Sequence, residues 1–427
     1  MPKVKQLAEG VRLCTVQTDR FKTSNIKIAM AMPMSSNLSA NALMLYLLKR
    51  SCRQYPDFAQ LNRRLDELYG ACLSASVMKL GEAQVLSLDI TCIDDRFALE
   101  EGESISAGCA ALLTGLLFEP NVENGAFDET ALQDEKRLLL QRMEEEVNDK
   151  RAFAMQRCEE LLCQNELYGR NKYGTPEEVE AVTAGDVYAA WQNVLRTAPI
   201  MITAVNGSDG KGVEKVFAAR FKKAEREPVA IETEFRAKAG RFRRVCETFK
   251  VNQGKLVLGF RAGMESRKDC FAAETVMNDL FGGNVYSKLF LNVREKLSLC
   301  YYCWSRLAAR KGIVLVHCGI DTENEKKASA EILAQLADMR AGKFTEEDIT
   351  ASKMGLRERY MSSEDTPEGI TAWYCSQVLD DTLMTPADIV KQTDAVTKDE
   401  ICDAARRMGL ETIYMLSAEE GTTDENN

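Results

Sequence analysis

The two halves of the chain repeat one pattern of apolar residues. "IKIAMAMPM" at 26–34 and "GKLVLGFRAGM" at 254–264 both alternate in the way a β-strand does. Further along, "VLSLDITCIDD" at 85–95 matches "IVLVHCGIDTE" at 313–323, at nearly the same offset of half the chain. Helical stretches follow the strands in both halves. Because the two pairs of matching segments are separated by nearly the same number of residues, the sequence predicts a duplicated structural unit.

The order of elements in each half is strand, helices, strands and helices, which predicts an α+β layered fold. The repeat divides the chain into a first domain at 1–221, a linker at 222–241 and a second domain at 242–427. The linker is charged, contains Pro228 and has no sustained periodicity. Its basic residues are interleaved with glutamates, so we expect a solvated connector rather than an anion site.

Local signals place several helix ends. In "DFAQLNRRLDELYG", Asp57 can accept a hydrogen bond at the N-terminus of a helix and Gly70 can end it. In "GTPEEVEAVTAGDV", Thr175 can cap a helix whose first turn contains Pro176. These signals predict helices directly after both caps.

Composition excludes several classes of protein. The formal net charge is −10 over 427 residues and the pI is about 5.1, so a broad nucleic-acid-binding surface is not expected. No apolar run approaches the roughly 18 residues that span a bilayer, and no signal-peptide pattern follows the first lysines. We therefore expect a cytoplasmic protein that does not enter membranes. Most of the fourteen cysteines lie singly in apolar runs, as Cys92 does, and we expect buried, reduced thiols.

The residues that bind zinc in proteins are sparse. The one histidine, His317, lies in an alternating strand, where a sheet position is favoured over a ligand. Cys300 and Cys303 form the one C-x-x-C pattern, without a second pair to complete a tetrahedral site. If both lie on one strand, residues three apart point to opposite faces. We therefore predict that the chain binds no metal or other cofactor.

The stretch "GGNVYSKLFLNVREKLSLCYYCWS" at 282–305 has the pattern of a binding segment. Gly282 and Gly283 open it, and an amphipathic helix is predicted next. Arg294 lies near the end of that helix and Tyr301 opens the following strand. The predicted buried stripe of the helix consists of apolar residues at helical spacing: Val285, Leu289, Val293 and Leu297. From residue type alone, Arg294 could instead stabilise the helix C-terminus, and Tyr301 could be an ordinary sheet residue.

This stretch resembles the peptidase M16 family, the insulinase, pitrilysin and mitochondrial processing peptidase group, at its "R-E-K-x-G-L-x-Y" pattern. "YGTPEEVEAVTAGDV" at 173–187 and the long helix "FDETALQDEKRLLLQRMEEEVND" at 127–149 are also similar to that family. The resemblance covers nearly the whole chain. It implies two tandem homologous domains of the LuxS and processing-peptidase type, each a mainly antiparallel sheet with helices packed on it.

The resemblance also shows what this chain lacks. Active family members carry H-x-x-E-H on a helix, where two histidines hold zinc and the glutamate is the general base. The matching helix here reads "LMLYL", with Leu43 and Leu47 in place of the histidines and Tyr46 in place of the glutamate. Arg142 lies near the position of the third ligand. The resemblance therefore implies a degenerate zinc site and no catalysis by this chain alone.

The family implies a role for the second half. In family members, an arginine and a tyrosine of the second half face the zinc and bind substrate. The matching residues of this sequence are Arg294 and Tyr301. Gly282 and Gly283 lie in the same segment and are expected to contribute to substrate binding. If the strand is one residue out of the expected register, Tyr302 is the substrate-binding tyrosine in place of Tyr301. A phenol or guanidinium can stabilise the oxyanion of peptide hydrolysis.

Bacterial members of the family include pairs of half-length chains, and this chain resembles the zinc-less member of such a pair. It is similar in particular to chains associated with 5-aminopentanol modification of elongation factor P in Gram-positive bacteria. The expected partners are a zinc-bearing M16 subunit and a peptide or protein substrate, and self-association is left open. The alternatives are a non-enzymatic scaffold and a peptide-binding protein of the same fold.

Overall fold

The computed structural model describes residues 2–418, apart from the side chains of residues 267–270 and 418. The strands are β1 (Lys3–Ala8), β2 (Val11–Gln17), β3 (Thr23–Pro33), β4 (Cys72–Leu80), β5 (Ala83–Ile93), β6 (Val122–Glu123), β7 (Ala126–Phe127), β8 (Ile200–Asn206), β9 (Arg243–Phe249), β10 (Gly254–Arg261), β11 (Tyr302–Ala308), β12 (Ile313–Ile320) and β13 (Gly409–Ala418). The helices are α1 (Leu38–Arg50), α2 (Phe58–Glu67), α3 (Ile105–Phe118), α4 (Glu129–Asn148), α5 (Lys150–Leu162), α6 (Pro176–Ala181), α7 (Ala184–Thr197), α8 (Lys211–Phe221), α9 (Arg267–Asn278), α10 (Glu325–Arg340), α11 (Glu346–Met361), α12 (Pro367–Cys375), α13 (Pro386–Ala395) and α14 (Lys398–Arg407).

The chain forms two compact units, each containing one large sheet packed with helices. The first unit consists of residues 1–143, 171–232 and 362–384, and the second consists of the segments between and after them. The predicted α+β fold is confirmed. The sequence predicted a linker at residues 222–241 between two repeated domains. The division into compact units does not test that linker, so it stays a prediction.

The sheet of the first unit has the strand order β1-β2-β8-β3-β5-β4, antiparallel except for the β2–β8 pair. Along β3, Ile28 and Met30 face a core made with helices such as α1, α3 and α7. Ala29 and Ala31 face the other side, where α12 covers β3 and β8. This alternation is the period of two that the sequence showed. Helix α12 comes from the second half of the sequence.

Polar contacts hold α12 on that face. The Thr371 hydroxyl donates to Oδ1 of Asn25 at 2.6 Å. The Arg12 guanidinium donates to carbonyls in the turn that follows α12, those of Gln377 at 3.1 Å and Val378 at 3.0 Å. A guanidinium carries five N–H donors, so Arg12 on β2 can hold several carbonyls of this turn at once.

The sheet of the second unit has the order β11-β12-β10-β13-β9, antiparallel except for β13–β9. Leu258 and Phe260 face a core shared with α9, α10 and α14. Val257 and Tyr414 face the opposite side, where α5 packs across β10 and β13. Helix α5 comes from the first half of the sequence. Each unit thus takes one covering helix from the other half of the chain.

Several local predictions are confirmed. Asp57 Oδ1 accepts from the Gln60 N–H at 2.8 Å, and Gly70 has φ +73° just after α2. Thr175 forms a reciprocal capping pair with Glu178 at the start of α6. Through residues 2–418, no helix combines the length and apolar character needed to cross a bilayer.

The expected solvation of the linker is wrong near its start. Arg226 is buried, and its Nε donates to the Glu9 carbonyl at 2.9 Å. Its other nitrogens donate to the carbonyls of Leu195 and Ala198. Because α7 ends at Thr197, these carbonyls need donors, and a guanidinium supplies several at once. The alternation of charges in the linker sequence does not show that these carbonyls need hydrogen-bond donors.

Candidate functional site

The segment from Gly282 to Tyr302 lies in the second unit and is not the regular amphipathic helix expected from its sequence. Two π-type turns form it, at Asp279–Gly283 and Phe290–Lys296. In the second, the Leu297 N–H donates to the carbonyl of Asn292, five residues earlier, at 3.2 Å. Wide turns of this kind are frequent at functional sites.

The wide turns change which side chains are buried. Leu289 and Val293 are fully buried, as predicted. Val285 and Leu297 are 46% and 45% exposed, so the predicted four-residue stripe is wrong at both ends. A π turn contains more residues than an α turn, and positions four apart therefore leave a common face.

Gly282 brings the first π turn against the sheet, and Gly283 makes close contacts at the turn itself. A Cβ at Gly282 would lie 2.7 Å from the Leu289 side chain and 2.8 Å from the Ser305 nitrogen on β11. At Gly283 the nearest atom, Oδ1 of Asp279, would be 3.0 Å away. These contacts give both glycines a packing role, and their part in substrate binding stays a prediction.

A buried carboxylate holds the same turn. Asp279 accepts from the Ser352 hydroxyl at 2.6 Å and from the Asn284 side-chain amide at 2.5 Å. The Arg359 guanidinium donates to its other oxygen at 2.9 Å. With its charge and lone pairs satisfied, Asp279 anchors the turn to α11.

Replacing Gly282 by alanine is expected to lower the free energy of unfolding by about 1–3 kcal/mol, because the added methyl overpacks a contact with backbone. Urea denaturation measures the change. Gly355→Ala on α11 is the matched control, since its Cβ would meet no atom within 4 Å. There, the better helix propensity of alanine should stabilise by about 0.5–1 kcal/mol. Equal effects of the two substitutions would contradict the packing role.

Arg294 and Tyr301 are both accessible on this anchored segment. Arg294 stacks its guanidinium carbon 4.5 Å from the centre of the Phe290 ring and pairs with Glu295 at 3.2 Å. Tyr301 precedes β11 and is 62% exposed, while its N–H donates to the Gly319 carbonyl at 2.9 Å. The backbone of Tyr301 is therefore held while its side chain faces solvent.

Tyr302 differs from its neighbour. It is the first residue of β11, and its ring lies 4.7 Å from the Arg151 guanidinium carbon and 5.6 Å from the His317 ring centre. Burial raises the pKa of Tyr302 to about 12. His317 lies on β12 as predicted, and burial, with Arg151 and Arg306 nearby, lowers its pKa to about 4. Tyr302 is thus engaged inside the unit, and Tyr301 is not.

Apolar side chains are unusually exposed around these residues. The following residues are each between 45% and 72% exposed: Val285, Tyr286, Leu291, Leu297 and Tyr301. We call this set the 285–301 apolar surface. Exposed apolar groups concentrated in one short segment are typical of a surface that contacts a partner or ligand.

The residues that the sequence predicted to occupy a degenerate zinc site lie together in the first unit. Leu43, Tyr46 and Leu47 are buried on α1, and the Arg142 guanidinium carbon on α4 lies 4.4 Å from the centre of the Tyr46 ring. Burial raises the pKa of Tyr46, and a hydrogen bond with Tyr173 acts in the same direction. Two leucines, a protonated phenol and a cation do not fit a zinc ion, which needs nitrogen, sulfur or carboxylate ligands.

The comparisons with known proteins agree with this geometry. A family model described as the peptidase M16 inactive domain matches residues 181–356. The chain is 30% identical over 422 residues to a "Probable inactive metalloprotease YmfF" of Bacillus subtilis, covering 99% of both chains. It is 25% identical over 304 residues to an "Uncharacterized zinc protease YmxG" of the same organism, covering 67% of this chain and 70% of the relative. A crystal structure of a conserved protein from Enterococcus faecalis V583 superposes with a TM-score of 0.88 at 26% identity, covering 99% of both.

The fold, the missing ligands and these relatives define a metallopeptidase homologue that does not carry the catalytic metal site. The chain belongs to the peptidase M16 family and is one of its inactive members. The predicted family and fold are thereby confirmed.

Proposed function

We propose that this chain pairs with a zinc-bearing M16 subunit and supplies Arg294 and Tyr301 to a composite proteolytic site. One observation carries the proposal: both side chains are accessible on a segment whose backbone is anchored by buried contacts. Among the described residues, none donates to or accepts from the Tyr301 hydroxyl. An ordered backbone with a free functional group is the arrangement that binding sites need.

In this proposal the work is divided between the subunits. The partner supplies zinc and the general base, and the present chain holds no metal. Hydrolysis of a peptide places negative charge on the former carbonyl oxygen, and the Tyr301 hydroxyl or the Arg294 guanidinium can donate to it. Stacking on Phe290 limits the motion of Arg294, which lowers the entropic cost of that contact.

The 285–301 apolar surface supports an interaction with another chain. An obligate pairing would bury roughly 2,000 Å² or more, and apolar groups with an arginine suit the centre of such an interface. A relative of this chain carries the name zinc protease, so a zinc-bearing partner of related fold is a reasonable companion. We place the pair in the cytoplasm and, as the sequence resemblance implies, in association with elongation factor P modification in a Gram-positive bacterium.

Peptide cleavage by the reconstituted pair tests the proposal. We expect Arg294→Ala and Tyr301→Phe each to lower kcat/KM by about 10²-fold, since each removes one donor to the developing oxyanion. Size-exclusion chromatography should show that the variants still assemble. The control is Arg406→Ala on α14, an exposed arginine paired with Asp403, which should leave cleavage unchanged.

Two results would contradict the proposal. Unchanged cleavage by both variants would remove the substrate-binding role and favour a scaffold. Cleavage by the partner alone, at the rate of the pair, would show that no composite site exists.

A further inference from the structure

Three neighbouring strands of the second unit form a notch around a glycine. Gly319 on β12 lies in register between Lys255 on β10 and Tyr302 on β11, so the three residues form one row across the sheet. Residues directly opposite one another on adjacent strands point to the same face. A Cβ at Gly319 would lie 2.5 Å from Cε1 of Tyr302 and 2.8 Å from Oε1 of Gln253, so only a glycine lets the Tyr302 ring lean over β12.

The first turn of α5 brings a second cation to this row. The Arg151 guanidinium carbon lies 4.7 Å from the centre of the Tyr302 ring, and Nζ of Lys255 lies 6.0 Å from the same centre. Arg151 is exposed and Lys255 is half-buried. The first turn of α5 contains no acidic residue, and the N-terminus of a helix itself carries partial positive charge. We call Arg151, Lys255, Tyr302 and Gly319 the Gly319 notch.

The two cations of the notch have no counter-charge. Through residues 2–418, the structure gives neither Arg151 nor Lys255 a carboxylate partner, and Lys255 donates to the neutral side chain of Gln253 at 2.6 Å. The carboxylate of Asp149 caps α5, where it accepts from the Arg151 N–H at 3.1 Å. The Tyr302 hydroxyl has no hydrogen-bond partner among the same residues. The notch therefore offers two charged donors and one neutral donor to a ligand.

The basic groups of the notch and its surroundings respond to this excess of positive charge. His317 occupies the next row of the sheet, and its ring centre lies 5.6 Å from that of Tyr302. It is 5% exposed, and its Nδ1 has no hydrogen-bond partner. Burial and the charges of Arg151 and Arg306 lower the pKa of His317 to about 4, and burial and Arg151 lower the pKa of Lys255. A site that resists protonation of its own bases attracts an anion.

The other charges around His317 are already paired. Arg306, on the same strand as Tyr302, forms an ion pair with the buried carboxylate of Glu159 on α5. The excess charge at the notch therefore comes from Arg151 and Lys255, with Asp149 as the acidic group that partly offsets it. One further negative charge would balance the three groups.

We propose that the Gly319 notch binds a carboxylate, with Arg151 and Lys255 as charged donors and the Tyr302 hydroxyl as a third donor. The planar fork of a guanidinium matches the two oxygens of a carboxylate. A single carboxylate also supplies the one negative charge that the notch lacks. The carboxylate can be the C-terminus of a peptide or an acidic side chain. The notch uses neither Arg294 nor Tyr301, so this inference does not depend on the proposed function.

The chain carries its own probe of the notch, because His317 is its one histidine and gives one imidazole NMR signal in the full-length, untagged protein. Three peptides are titrated: a blocked alanine tripeptide with a free C-terminus, the same peptide amidated, and an amidated tripeptide with one central glutamate. A carboxylate peptide should shift the signal saturably and raise the pH at which His317 takes up a proton, since a nearby negative charge favours the imidazolium. A response to the free C-terminus or to the glutamate identifies the source of the carboxylate.

Substitutions assign the binding to the notch. Arg151→Gln and Lys255→Gln should each weaken binding about 10-fold, because each removes a charged donor. Tyr302→Phe keeps the ring, removes a neutral donor and should weaken binding roughly threefold. The control is Arg157→Gln on α5, since that guanidinium is already paired with Glu160 and Glu247, and it should leave the affinity unchanged. The His317 signal of each free variant shows whether it is folded, because an unfolded histidine titrates near pH 6.5.

Three results would overturn the inference. The first is no response to either carboxylate peptide, or an equal response to the amidated alanine peptide. The second is unchanged affinity in the folded Arg151→Gln and Lys255→Gln variants, which would place the ligand elsewhere. The third is a stronger response to inorganic phosphate than to both carboxylate peptides, which would show that the ligand class is wrong.

Discussion

Replacing Glu166 by glutamine is expected to lower the free energy of unfolding by about 3–5 kcal/mol, because it leaves buried cations without their counter-charge. Nη2 of Arg261 and Nζ of Lys311 each lie 2.6 Å from a Glu166 oxygen. The side chains of all three are at most 1% exposed. Glu411, 2.9 Å from Nε of Arg261, would remain as a counter-charge for that guanidinium.

The effect should depend on pH. Burial raises the pKa of Glu166, but hydrogen bonds from Arg261 and Lys311 outweigh it and hold the pKa below the ordinary value. The contribution of Glu166 to the free energy of unfolding is therefore fully present above its unfolded-state pKa of about 4.3. It is lost as the pH falls through the lower pKa of the folded state. The difference in the free energy of unfolding between wild type and Glu166→Gln should therefore become smaller below about pH 4.

Urea denaturation at several pH values measures this change. The matched control is Asp403→Asn, which removes a carboxylate from an exposed pair with Arg406 on α14. We expect a change of at most about 0.5 kcal/mol there. A loss below about 1 kcal/mol for Glu166→Gln would show that the buried group is not needed to neutralise the two cations.

Cutting the chain between residues 232 and 233 is expected to leave neither fragment folded alone. Residues 1–232 lack α12, which covers one face of the first sheet. The side chains exposed by its loss include Val85, Met201 and Val205. Each large apolar side chain loses about 1.5–3 kcal/mol of burial, so a few such losses approach the 5–15 kcal/mol that stabilises a typical domain.

The complementary fragment has an equivalent defect. Residues 233–427 lack α5, which covers β10 and β13, and they lack Glu166 between Arg261 and Lys311. Circular dichroism and dye binding to exposed apolar surface should show poorly packed fragments when each is expressed alone. Co-expression of the two fragments should restore a folded complex. This control shows whether the chain break itself, rather than the missing helix, prevents folding. A cooperative unfolding transition of fragment 1–232 alone would contradict this account.

Most of the secondary structure could be predicted because it depends on neighbouring residues. Alternation in "IKIAMAMPM" marked β3, and Asp57 and Thr175 marked the starts of α2 and α6. Helical spacing failed in the Arg294 segment, where Val285 and Leu297 are exposed. A π turn depends on how the segment meets β11, at Gly282 above all, and no local pattern of apolar residues specifies it.

The sequence by itself determined the α+β pattern and the prediction that this chain lacks the zinc ligands of the family, because residue type decides whether a side chain can bind metal. It also predicted that Tyr46 and Arg142 occupy positions of the family's zinc site, whereas tertiary packing brings the Arg142 guanidinium carbon to 4.4 Å from the centre of the Tyr46 ring. The tertiary structure decided which helices cover which sheet, the exposure of Tyr301 and the contact between the sulfurs of Cys303 and Cys318. These features join residues far apart in the chain, and their free energy comes from burial and charge that exist only after folding.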